Sequence, residues 1–249
     1  MRLLLTIVLV AAGLFLVEPS RGEDKVARQP VIVELFTSEG CSSCPPADEL
    51  LAEFLHKQPV EGAQIIPLAF HVDYWNRLGW TDRFSDPKFT ARQQAYAQAM
   101  KLRSMYTPQM IVDGRQEFVG SDGEAARKAI GQASRERKGD VTLTLDGNRI
   151  HVQVSNLVSK QECEALLAIT EDDLQSDVRH GENAGHKLAH VAVVRRLIPL
   201  GKTHGVEGSA DWELAVDRDW NPQKIRLVAF IQEANHGPIL GAASIPLQK

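Results

Sequence analysis

The sequence predicts an α/β domain followed by a mostly-β, sandwich-like domain. Three observations carry this. Short β-branched runs alternate with helical patterns up to about residue 137. A charged break with one glycine, 135–140, ends that texture. Beyond it come about seven strand-like runs separated by polar turns. The expected organisation is a leader at 1–22, an α/β domain at 23–138 and a β domain at 139–249.

Met1-Arg2 precedes an almost unbroken apolar run from Leu3 to Val17, closed by Glu18-Pro19-Ser20-Arg21-Gly22. This reads as a secretory signal peptide. The run is short for a spanning helix, which needs about 20 residues. An uncleaved anchor is the alternative, because no A-x-A pattern precedes Glu23. The expectation is a periplasmic or secreted chain with no stable membrane insertion once the signal is removed. The 249 residues carry a formal net charge of -4 and no long basic run, which argues against a nucleic-acid partner.

In the first half, Val31 to Phe36 is a buried strand by composition. A polar turn leads to Pro45-Pro46, which opens a helix through His56, since proline is tolerated in a first helical turn. Gln64 to Phe70 is a second strand, and a strand–helix–strand unit of this spacing makes the two parallel. An aromatic-rich loop, His71 to Ser85, follows. Asp86-Pro87 starts a helix to about Arg103, and Gln109–Asp113 is a third strand. Asp113-Gly114 turns into a return strand, Gln116–Val119, and Ser121-x-x-Glu124 reads as a capping box for a last helix to about Arg137. The order is β-α-β-α-β-β-α. The later strands are expected at Val141–Leu145, Ile150–Val154, Cys163–Thr170, Leu188–Ile198, Trp212–Val216, Ile225–Gln232 and Ile239–Pro246.

The chemistry-bearing feature is Cys41-Ser42-Ser43-Cys44, placed after a buried strand and at the mouth of a helix. A helix N-terminus carries partial positive charge and unpaired N–H groups, which stabilise a thiolate. Cys41 is therefore the expected nucleophile and Cys44 the resolving thiol. Half of a zinc site is the competing reading, but no second C-x-x-C or H-x-x-x-H completes one, so no metal or other cofactor is assigned. An inert disulfide is the third. Cys163 reads as a small buried hydrophobe, and 181–186 as a turn.

The strand, the C-x-x-C-P, the βαβ unit and Thr107-Pro108 before a hairpin together resemble the thioredoxin fold. More closely, Leu35 to Asp48, His71 to Trp80 and Tyr106 to Gln109 are similar to a family of secreted thioredoxin-like bacterial proteins labelled a domain of unknown function. The resemblance implies a cis Pro108 facing the disulfide and helping to hold substrate. Thr107 before it is similar to the periplasmic disulfide isomerases. By the same analogy Glu34, on the first strand, would accept the proton of Cys44; a glutamate facing solvent at a strand end is the alternative. Gly40 stands where ordinary thioredoxins carry tryptophan. The loop that holds His71, Asp73 and Trp75 leaves the same sheet edge as Cys41, and is expected either to wall the site and recognise substrate or to cover the core.

Three functions follow as expectations. One is an exported thiol–disulfide oxidoreductase acting on exported protein thiols or a redox partner protein. Another is a Cu(I)-binding, metallochaperone-like protein using both thiolates and His71. The last is a non-enzymatic envelope module.

Overall fold

The computed structural model describes residues 28–159, 161–203 and 207–247, so the expected leader lies outside the described residues. The first half forms its elements in the order read above: β1 (Gln29–Thr37), α1 (Pro45–Lys57), β2 (Ala63–His71), α2 (Pro87–Ala99), β3 (Gln109–Val112), β4 (Gln116–Val119) and α3 (Gly123–Ala133). Local chemistry explains the joints. Asp86 caps α2 through Lys88 N, and proline occupies its first turn. Asp113 and Gly114 both adopt positive φ, 48° and 65°, as a tight two-residue hairpin turn demands. The expected capping box is displaced by one residue: Asp122, not Ser121, accepts from Ala125 N at the start of α3.

The expected architecture of a thioredoxin-like α/β domain followed by a sandwich-like domain is overturned. The described chain is mostly β, with three α-helices and one large mixed sheet. The second half contributes β5 (Asp140–Asp146), β6 (Arg149–Ser155), β7 (Cys163–Glu171), β8 (Leu174–Asp177), β9 (Lys187–His190), β10 (Val193–Thr203), β11 (Gly208–Glu213), β12 (Ile225–Glu233) and β13 (Ile239–Pro246). Four of these strands extend the sheet of the first half, giving the order β13-β12-β7-β10-β2-β1-β3-β4. The seam is a parallel pairing of β10 with β2 at Val193 and Ala69. The physical reason is the β2 edge. A strand so buried carries backbone N–H and C=O groups that need partners, and Ala69 N donates to Ala192 O at 2.8 Å.

The single strand expected at Leu188–Ile198 is broken into β9 and β10 around Ala192, whose φ is 51°. β8 and β9 form a separate two-stranded ribbon, and β11-β6-β5 a three-stranded sheet. The strand expected at Trp212–Val216 lies earlier, as β11.

Three packed layers result. Val33 and Leu35 of β1 face Leu51 and Phe54 of α1 and Ala126 and Ile130 of α3. Ile32 and Phe36, on the opposite face, pack with Phe89 and Tyr96 of α2 and with Leu166, Val228 and Phe230 of the second half. Ile150, Val152 and Val154 of β6 cover Leu167, Leu227 and Ala229. The layer beneath α2 therefore continues across the seam.

Candidate functional site

The β1 strand ends at Thr37, and the chain turns tightly before α1. Cys41 N donates to Ser38 O, Cys44 N to Cys41 O, and Ala47 N and Asp48 N both to Cys44 O. Cys44 is thus the residue that starts the helix. Cys41 and Cys44 are joined by a disulfide with a Cα–Cα separation of 5.5 Å. Both are buried, at 1% and 0% exposure. Opening this bond would leave the Cys41 sulfur at the N-terminus of α1, where Pro45 and Pro46 carry no N–H but the positive end of the helix dipole favours a thiolate.

The structure brings Trp75, Thr107 and Pro108 around this turn and His71 behind it. Trp75 lies against Gly40, where an added Cβ would meet Trp75 Cβ at 3.0 Å. Its Nε1 donates to Thr107 Oγ1 at 2.8 Å. The Thr107–Pro108 bond is cis. Pro108 approaches Leu35 and Ala47 so closely around Gly120 that a Cβ there would touch all three residues.

His71 is fully buried and belongs to an acid–base cluster behind the disulfide turn. Its Nδ1 contacts Asp82 Oδ2 at 2.7 Å, and that oxygen also accepts from Glu39 N at 2.9 Å. Trp80 Nε1 donates to Glu39 Oε2 at 2.7 Å. His190 of β9 brings its Nε2 to 3.3 Å from Glu39 Oε1, outside hydrogen-bond geometry, and its Nδ1 to 4.0 Å from Asp48 Oδ2. The two imidazoles meet edge to face at 4.8 Å. Burial pushes the Asp48 carboxyl up to about 7, against the opposing pull of His190 and Thr37. Burial also raises Glu39 and Asp82, but the polar groups around them outweigh it. His190, Ser176 and Trp80 leave Glu39 below the ordinary carboxylate range, and His71 with two backbone N–H groups does the same for Asp82. Asp48 can therefore exchange a proton near neutral pH, one helical turn beyond Cys44.

Two expected site residues lie elsewhere. Asp73 is tied to α2, its N–H donating to Thr90 Oγ1 and its carboxylate accepting from the same hydroxyl at 2.6 Å. Glu34 sits on the α2 face of β1, opposite α1. Arg92 grips it through Nε at 2.6 Å and Nη2 at 3.0 Å, and Tyr96 donates to it as well. Glu34 thus belongs to the Arg92–Tyr96 network, while the carboxyls gathered at the disulfide turn are Glu39, Asp48 and Asp82. Sequence reading missed Glu39, Asp48, Asp82 and His190 as a group. Glu39 and Asp48 fall within the Leu35–Asp48 motif, which was the available signal.

The second half also binds the disulfide turn. In the turn between β8 and β9, Asn183 Nδ2 donates to Glu39 O and Cys41 O, both at 2.9 Å. Glu182 Oε2 accepts from Ser42 N at 3.0 Å and Ser42 Oγ at 2.7 Å. Among the described residues, no group of three or more His, Cys, Asp or Glu side chains is arranged so that it could hold a metal ion. No described helix is long and apolar enough to cross a membrane.

The model of the family described as "Protein of unknown function (DUF1223)" matches residues 32–232, a span that contains the disulfide turn, the cluster and the turn between β8 and β9. The chain belongs to this family. An X-ray crystal structure of an Agrobacterium tumefaciens protein is similar to this DUF1223 chain, at 26% identity and a TM-score of 0.74. The likeness covers 89% of this chain and 96% of that one. No curated protein matches it.

Proposed function

We propose that this DUF1223 protein is an exported thiol–disulfide oxidoreductase working through Cys41 and Cys44. The observation that carries the reading is the disulfide itself, set at the N-terminus of α1 next to a buried carboxyl poised near neutrality. In the reduced protein the Cys41 thiolate attacks a substrate disulfide, forming a mixed disulfide and releasing one substrate thiolate. The Cys44 thiolate then attacks Cys41 Sγ, closing the internal disulfide and releasing the second substrate thiolate. Two electrons pass from the protein dithiol to the substrate; the reverse sequence oxidises a substrate dithiol. Thr107, Pro108 and Trp75 would flank the incoming chain. The likeness of residues 35–48 and 106–109 to secreted thioredoxin-like proteins supports the same chemistry, and the partners are exported protein thiols or a redox partner.

The test is thiol trapping of the mature protein across glutathione buffers. A reversible two-electron couple between about -120 and -270 mV, the span of known redox catalysts, is the expected result. A Cys44→Ser variant should accumulate a mixed disulfide at Cys41. A pair that never cycles, or a Cys44→Ser protein that traps no partner, overturns the proposal.

A further inference from the structure

The turn between β8 and β9 makes no part of the main sheet, yet its side chains bind the backbone of the disulfide turn. Its two ends are Gly181 and Gly185, with φ of 82° and 85°, a backbone region that side chains disfavour. Within it, Gly185 N donates to Val178 O and His186 N to Asn183 O, so the turn holds its own shape. The ribbon that carries it pairs with no other strand. Beyond the turn, the ribbon meets the body through Arg83 Nη2, which donates to Gln175 O, and through His190 beside Glu39. Asn183 and Glu182 engage backbone groups of the disulfide turn, and those are the groups a docking polypeptide needs. The Cys41 and Glu39 carbonyls would receive its N–H donors, and Ser42 N–H would meet one of its carbonyl oxygens. The same two hydrogen bonds from the Ser42 backbone and side chain keep the Glu182 carboxyl below the ordinary range.

We infer that residues 181–185 are a latch that occupies the polypeptide-docking ground over Cys41–Cys44, so that thiol exchange requires the turn to lift and the substrate chain to take its place. The inference rests on the thiol-exchange reading above. While latched, the sulfurs are closed to attack, because Cys41 and Cys44 have 1% and 0% of their surfaces open. Lifting the turn breaks four hydrogen bonds and leaves the main sheet intact. The substrate class that follows is an extended polypeptide, whose main chain can satisfy Ser42 N–H and the two carbonyls together.

The experiment compares the full mature protein with a Glu182→Ala/Asn183→Ala variant, both oxidised. Reduction by dithiothreitol, which supplies the two electrons, is followed by alkylation and mass. Circular dichroism and thermal melting verify that both are folded. The variant is expected to be reduced about tenfold faster or more, since the protected state opens more often once the bonds are gone. A Glu182→Gln variant keeps the shape of the turn and should fall between the two. A linear peptide disulfide offered to the reduced proteins should show the same order of rates. Amide exchange at Ser42 should quicken in step. Equal rates in folded wild type and variants, with a reversible couple in each, overturn the latch and leave thiol exchange standing. No reversible couple in any of them, while the denatured chains are readily reduced, overturns the thiol-exchange reading and the latch with it.

Discussion

Trp75 packs so tightly on Gly40 that a methyl group at residue 40 would lie 3.0 Å from Trp75 Cβ. The same indole donates to Thr107 Oγ1. One side chain from the loop after β2 therefore spans the disulfide turn and the segment that carries Pro108. An aromatic beside the first cysteine is present, but it comes from a different element than the residue before the cysteine.

Gly40→Ala should consequently destabilise the protein, because Trp75 cannot retreat without straining its bond to Thr107. The expected loss is about 1–3 kcal/mol, typical of overpacking a filled interior. Urea unfolding followed by tryptophan fluorescence measures it, and the native emission should shift as well. An unchanged midpoint and spectrum would show that the contact yields freely.

What was legible in the sequence is what local chemistry controls. Pro45 and Pro87 in first helical turns, Asp113-Gly114 at a hairpin and the parallel β1–α1–β2 unit are fixed within a few residues, and each formed. The cysteine pair was readable for the same reason. What failed depends on partners far along the chain. Nothing in the composition of β10 says that Val193 will pair with Ala69 and merge two halves into one sheet. Glu182 and Asn183 reach residues about 140 positions away, which no local pattern encodes. Glu34 was undecidable for a different reason. Val31 to Phe36 is buried on both faces, so alternation could not tell which side faces α1.

The placement of Glu34 makes a second prediction. Arg92 and Glu34 are both buried and pair bidentately, with Gln232 and Tyr96 completing the network. Arg92→Ala should lose about 3–5 kcal/mol, because it strands an uncompensated buried carboxylate. Gln232 belongs to β12, so unfolding should remain a single transition through both halves. Two separated transitions in calorimetry would show that the halves unfold independently.

Asp48 predicts how stability depends on pH. Its carboxyl is raised from 3.8 to about 7 in the folded protein. Between about pH 4 and 7 the native state therefore holds a proton that the unfolded chain has released. Stability must fall as pH rises through that window. The full effect is on the order of 4 kcal/mol above pH 7. Glu39 and Asp82, both lowered, act with the opposite sign, and their contribution is lost only as pH falls below the ordinary carboxylate range. Asp48→Asn should thus gain stability at pH 8 relative to wild type and flatten the slope between pH 5 and 7, as measured by urea unfolding at each pH. A variant with the wild-type slope would remove Asp48 as the source.

Lys138 sets the last prediction, at the place where the hairpin of the first half meets the edge of the second. Its Nζ is held by Pro30 O and by Asp113 Oδ2. Asp113 Oδ1 accepts from Ile32 N, and Asp113 O accepts from Ile239 N at the start of β13. Burial raises the Asp113 carboxyl, and Lys138 works against that rise. In Lys138→Met the opposition disappears, so the carboxyl should move further up and the protein should pay chiefly where Asp113 remains ionised. The expected loss is about 3–5 kcal/mol at pH 8, the penalty for breaking a buried pair, and clearly less at pH 5, where protonation relieves it. Urea unfolding at the two pH values checks both the size and the sign. A loss equal at the two pH values would mean that the methylene packing of Lys138, rather than its charge, holds this corner together.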